Sequence, residues 1–258
     1  MKKYIFTFIF VMLAATVSAQ QLRSRTLIKA ALHGWAYEIK GGINIGGTAP
    51  LSIPREIRST DSYSPNLAMS IEGRAAKWFG TDRRWGVIFG LGLENKGMTT
   101  RVTVKNYSTE IRGDDGSKVK GRWTGGVRTK VRNSYLTIPV LAAYKLSRRV
   151  NLSAGAYLSY LINGEFCGDV YEGYLREGDP TGDKIVYTGG AKSTYDFSDD
   201  LRRMNYGLRA GVDWKAFKHL KVYGDLTWGL HNIFHSSFNT ITFDMYPIYL
   251  NIGFGYFF

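Results

Sequence analysis

The last thirteen residues of the chain, Tyr246–Phe258, alternate in character. Tyr246, Ile248, Leu250, Ile252, Phe254, Tyr256 and Phe258 are apolar or aromatic, and Asn251, Gly253 and Gly255 stand between them. A period of two predicts a strand with one apolar face. The same pattern recurs near the start, where Trp35, Tyr37, Ile39, Ile43 and Ile45 alternate with Glu38, Lys40, Gly42 and Asn44. Six more segments repeat it: Leu67–Phe79, Trp85–Lys96, Ser134–Leu146, Asn151–Asn163, Arg203–Phe217 and Leu220–His231. The connections alternate in length. Gly80–Arg84, Ser147–Val150 and Phe217–His219 read as tight turns, whereas Gly47–Asn66, Gly97–Asn133, Gly164–Arg202 and Asn232–Met245 read as long loops.

A soluble β-sandwich also alternates, so length and connection pattern decide between the two. The segments run to about 11–15 residues. Soluble strands average about 5–6 residues, and a tilted membrane strand needs about 9–11. Short turns at one end and long loops at the other are the habit of outer-membrane barrels. The expected fold is therefore all-β, an eight-stranded antiparallel up-and-down transmembrane β-barrel over residues 35–258, with both termini on the periplasmic side.

The polar face of these strands carries Glu38, Lys40, Glu72, Arg74, Glu94, Lys96, Arg209, Asp213, Lys215, Lys221 and Asp225. An Arg or Lys facing lipid near the midplane costs roughly 2–4 kcal/mol, so these side chains are expected to point into the lumen. Eight strands enclose a space that side chains just fill. Buried charges of both signs must pair there. A closed, ion-paired interior is thus favoured over a narrow polar channel. Trp35, Tyr37, Trp78, Phe79, Trp85, Tyr144, Trp214, Tyr256 and Phe258 all fall beside the termini or the tight turns. They are expected to form a periplasmic aromatic girdle, because amphipathic rings prefer the headgroup layer.

Composition agrees with a barrel rather than a helical membrane protein. Aromatic residues make up 14% and there are 30 glycines, yet mean hydropathy is only −0.19. Only alternate strand residues need meet lipid, which keeps the average low. Residues 1–19 begin Met1-Lys2-Lys3, continue through an apolar run and end Val17-Ser18-Ala19. This is the layout of a secretory signal peptide. Cleavage after Ala19 would leave a periplasmic leader, residues 20–34, ahead of the barrel and lower the net charge from +13 to +11. The single Cys167 excludes an intramolecular disulfide.

Four stretches carry a family resemblance: NSYLTIPVLAAYKL at residues 133–146, RVNLSAGAYLSYL at 149–161, IKGGINIG at 39–46 and GLGLENKG at 90–97. Together they resemble the PorT-like outer-membrane β-barrel family of Bacteroidetes. The resemblance spans roughly Tyr37 to Phe258. It implies the barrel fold, an outer-membrane location and, through the family's namesake, an accessory part in type IX-like secretion. It implies no catalytic residues. The terminal Phe258 is similar to the signal read by the barrel-assembly machinery, an expected partner during insertion.

The two longest connections differ in charge. Residues 97–132 hold nine Lys and Arg against three acids, a net +6, and residues 164–201 hold three against nine, a net −6. They are expected either to pack together over the barrel mouth or, for the basic one, to meet lipopolysaccharide phosphates. A pair of separate solvated loops is the plain alternative. The acidic turns at residues 113–116 and 178–183 lack calcium-loop spacing, and no metal or other cofactor is expected. His231, His235, Ser236 and Ser237, with Asp244 as nearest acid, leave a lipid A-modifying enzyme as a remote alternative, since nucleophilic catalysis needs an oriented base. The basic residues are scattered, so no nucleic-acid partner is expected. The expected role is a non-enzymatic, membrane-anchored structural or interaction protein, meeting outer-membrane lipid, lipopolysaccharide and a protein partner through its outer loops.

Overall fold

Eight strands pair edge to edge into a ring, and three of them continue far beyond it. The computed structural model describes residues 34–112 and 118–258. The expected signal segment and, apart from Gly34, the leader lie outside the described residues, as do Asp114 and Asp115. Residues 36–258 form one unit; of the other, residues 1–35, only Gly34 and Trp35 are described.

The strands are β1 (Trp35–Ala49), β2 (Ile57–Pro65), β3 (Ala68–Phe79), β4 (Trp85–Arg112), β5 (Lys118–Lys145), β6 (Val150–Glu177), β7 (Lys184–Asp196), β8 (Met204–Lys215), β9 (Leu220–Gly229) and β10 (Tyr246–Phe257). The ring runs β1-β3-β4-β5-β6-β8-β9-β10 and closes by antiparallel pairing of β10 with β1. Closure leaves the ring no free edge. Its eight staves are those read from the alternation, to within a few residues at most ends.

The long connections differ from expectation. Gly97–Asn133 and Gly164–Arg202 are mostly strand, because β4, β5 and β6 are each 28 residues long. Along one edge β4 meets β5 throughout; along the other it meets β3, then β2 through Met98–Val104, then β7 where Arg112 faces Thr194. Likewise β6 meets β8 and then β7. Residues 57–65, expected as loop, are β2. Five strands therefore wall a module beyond the ring, at the end far from Ala36 and Phe258. Residues 230–245, mostly irregular, fold into it through Ile233, Phe234 and Ile241, all buried.

The physical reason is visible along β4. Even-numbered residues face inward as far as Val104, beyond which a bulge shifts the register and brings Ile111 inward, but their chemistry changes along the way. Within the ring Glu94 and Lys96 are buried while Phe89, Leu91 and Leu93 are exposed. Beyond it Met98 and Val104 are buried while Arg101 and Lys105 are exposed. The ring is polar inside and apolar outside; the module is apolar inside and charged outside. The module has its own core of Met98, Val104, Ile111, Trp123, Val127, Val131, Phe166, Val170, Leu175 and neighbours. Aromatic pairs knit it, with Phe166 and Phe234 centroids 4.9 Å apart and Phe197 and Phe238 5.1 Å apart.

Candidate functional site

The ring staves β1, β3, β4, β8 and β9 each turn two charged side chains inward, at alternate or fourth positions. These ten residues form one continuous network. Lys221 joins Glu38 (2.5 Å) and Asp213 (3.1 Å). Lys40 joins Asp213 (3.2 Å) and Asp225 (2.9 Å). Asp225 also receives Arg74 at 2.8 Å and Arg209 at 2.8 Å. Glu72 links Arg74 to Arg209, the latter at 2.6 Å. Glu94 links Arg209 (3.4 Å) to Lys96 (3.0 Å). Five acids thus face five bases across the lumen, with no net charge. Burying a lone ion costs several kcal/mol, and mutual pairing offsets that cost only when each ion has partners, as here.

Neutral groups complete the layer. Lys40 Nζ lies 3.5 Å from the Tyr223 ring centroid, and the Tyr223 hydroxyl donates to Asn251 at 2.5 Å. Lys96 Nζ sits 5.2–5.7 Å from the rings of Tyr157, Tyr135 and Tyr249, within cation–π range. Thr137 and Ser159 share a hydrogen bond across β5 and β6 at 2.8 Å. The network crosses the lumen, joining β3 to β8 through Glu72 and Arg209. Toward Tyr37 and Phe257 it floors a cavity of about 450 Å³ that Lys145, Arg149 and Lys215 also line; on the other side, the apolar core of the module begins.

Lys215, expected in the lumen, is exposed at the end of β8, with its Nζ 4.7 Å from the Phe257 ring. The cause is position: it is the last residue of β8, where alternation lapses. Among the expected girdle residues, Trp35 opens β1. Tyr37, Phe79, Trp85, Trp214, Tyr256 and Phe258 are exposed at the terminal end. Tyr144 lies against Trp85 with centroids 4.7 Å apart. Trp78 departs from the girdle. It stands on the inward register of Glu72 and Arg74, packs on the Ile88, Leu141 and Ala143 cluster, and carries Lys145 Nζ 4.0 Å from its ring. A second aromatic level, missed in the sequence, lies at the other edge of the apolar band: Tyr160, Tyr206 and Trp228 are all exposed there. Their outward register near the strand ends was the available signal.

The segments of opposite charge lie side by side as β5 and β6. Arg128 faces Asp169 and Arg132 faces Glu165 in register, and Lys130 Nζ is 3.5 Å from Glu165. These partly exposed pairs are worth at most about 1 kcal/mol each. The buried core, rather than charge, holds the segments together. Glu165 also accepts the Cys167 thiol at 3.2 Å, and burial followed by that carboxylate pushes the thiol pKa up to about 11. His231 Nε2 lies 3.1 Å from the Met204 carbonyl oxygen, and Asp244 accepts from Asn232 (2.8 Å) and Tyr246 (3.3 Å). Asp244, the acid the enzyme alternative would need, is thus engaged by an amide and a phenol.

A polar, ion-paired interior inside an apolar outer band, closed without edges, is what a strand-built membrane span requires. The family model described as outer membrane protein beta-barrel domain matches residues 18–235. The chain belongs to this family. No curated protein matches the outer-membrane barrel in sequence. Solved structures similar to it include Ail, the attachment invasion locus protein of Yersinia pestis, in complex with the heparin analogue sucrose octasulfate. That match is 10% identical, covers 87% of this chain and 97% of that chain, and has a TM-score of 0.35. Neisserial surface protein A is 12% identical over 87% of this chain and 97% of that one, with a TM-score of 0.34. The outer membrane protease OmpT of Escherichia coli is 13% identical over 87% and 94%, with a TM-score of 0.33.

Proposed function

We propose that this outer-membrane barrel is a closed anchor that holds a rigid, strand-built docking module outside the cell. The observation that carries the reading is the change of polarity along β4, β5 and β6. The ring spends its interior on an ion-paired plug, and the module buries an apolar core and turns its charges outward. A surface built on paired strands is held more firmly than one built on loops.

The outer face of the module favours anionic groups near β4 and β5. Arg101 faces Arg128 directly across the two strands, an arrangement that costs energy unless something negative lies over it. Asp169 reaches Arg128 from the far side at 3.9 Å and leaves Arg101 to other partners. Arg132, two rows nearer the apolar band, suits a lipopolysaccharide phosphate. The PorT-like motifs at residues 133–161 fit the same reading, since a blocked lumen offers no passage for a polypeptide. Any part in secretion would then be played by docking at this face.

The test is photocross-linking in intact outer membranes, with the probe at Arg101, at Arg128 or at the exposed Val186 of β7. The reading expects adducts of lipopolysaccharide or a protein at the two arginine positions and none at Val186. Equal or absent labelling at all three would contradict it.

A further inference from the structure

A second cavity, of about 470 Å³, lies just beyond the ion-paired layer, inside the module. Its inner wall is apolar: Met98 and Val104 on β4, Val127 on β5, Phe166 on β6, and Phe243 and Met245 from the segment before β10. No charged side chain lines it, and its polar side chains are the hydroxyls of Thr and Tyr. The space is open at one side, where the exposed Ile53 and Tyr63 stand. It falls in the volume range of ligand pockets.

Its entrance sits at the edge of the lipid-facing band. Gly46–Pro50, where β1 ends, and Ile248, where β10 begins, form the rim, a few residues past the outward-facing Ile43, Ile45, Leu250 and Ile252. Ile53 lines the cavity and is nevertheless 79% exposed, so the apolar wall continues out through the mouth. Beside it the chain carries two exposed cations, Arg55 and Arg58. Tyr63 braces the rim by donating its hydroxyl to the Gly46 carbonyl at 2.7 Å.

We propose that this cavity binds one acyl chain of an anionic amphiphile, tail inward and headgroup at the mouth. An uncharged wall accepts a hydrocarbon tail and rejects a headgroup. The mouth opens at the level of Trp228, which Ile248 faces, beside the headgroup layer, and Arg55 and Arg58, with Glu56 between them, flank Ile53 and Ile57 of the lining in sequence. A free fatty acid and the acyl chain of a membrane phospholipid share this chemistry. The inference is independent of docking at the outer face, because it uses the cavity and its mouth and none of Arg101, Arg128 and Arg132.

The experiment uses the full chain in nanodiscs with two probes: free hexadecanoate bearing a terminal diazirine, and a phosphatidylglycerol carrying the same chain. Adducts are mapped by mass spectrometry after illumination. Labelling of Met98, Phe166 or Phe243 is expected with at least one probe. The free acid alone would identify a fatty acid as the source, and the phospholipid a membrane lipid. The variant Thr100→Phe, which fills the cavity, should abolish these adducts. The variant Ile53→Asp, at an exposed mouth position that folding does not need, should strongly reduce them, and Val186→Asp should leave them unchanged. Adducts confined to lipid-facing residues such as Ile43 and Ile252, or cavity adducts indifferent to Thr100→Phe and Ile53→Asp, would overturn the proposal.

Discussion

Arg209 Nη2 donates to Asp225 Oδ2 at 2.8 Å, and that one oxygen also takes Arg74 and Lys40. Asp225 is thus the hub at which three strands other than its own are tied: β1 through Lys40, β3 through Arg74 and β8 through Arg209. Removing its charge leaves three cations converging on a neutral group. Asp225→Asn is expected to destabilise the barrel by about 3–5 kcal/mol, the cost of stranding buried partners. Urea titration of the detergent-folded protein measures this. Adding Lys40→Met should recover part of the loss, because the two positions are coupled; strict additivity would show that the network is not shared.

The seam between β1 and β10 depends on paired glycines. Gly42 faces Gly253, and a Cβ at Gly42 would meet the Ile252 carbonyl and the Tyr223 hydroxyl at 2.5 Å. Gly42→Val should therefore impede closure of the ring. The measurement is the fraction of heat-modifiable, SDS-resistant barrel after refolding, which should fall well below that of the unaltered chain.

The module has a core of its own, and Trp123 lies at its centre with no exposed surface. Its indole N–H donates to the Gly126 carbonyl at 3.1 Å. Trp123→Ala should cost about 3–5 kcal/mol, felt in the module rather than in the ring. Limited proteolysis is expected to cut within residues 98–132 and 164–201 while the ring stays SDS-resistant. Loss of both together would show that the two parts fold as one.

Cys167 is held protonated at neutral pH. With its pKa near 11, raised by burial and by the Glu165 carboxylate, the reactive thiolate is scarce until the medium becomes strongly alkaline. Iodoacetamide should modify it slowly at pH 7–8, with the rate rising up to about pH 11. Glu165→Gln removes the negative neighbour and should move the rate profile to lower pH.

The ring was legible in the sequence because lipid and lumen impose opposite demands on alternate residues, as at Ile43 and Asn44 or Leu226 and Asp225. The network was legible as a set of charges, since each faces away from lipid, but not as a set of pairs: that Lys40 reaches Asp213 and Asp225 depends on strands far apart in the chain. The module was hidden. Its outward residues meet water instead of lipid, so Arg101, Arg128 and Lys130 gave the look of a basic loop. The inward Met98, Val104, Trp123 and Val127 were too sparse to mark strands alone. Trp78 shows a related limit: its type suited a girdle, and only its register with Glu72 and Arg74 places it inside.

The proposed anchor role rests on a lumen closed by ion pairs. Planar-bilayer recording of the purified, full-length protein tests this most directly. The ten-residue network predicts a flat baseline with no unitary steps across the usual voltage range. Steady, reproducible conductance steps from the unaltered protein would contradict it.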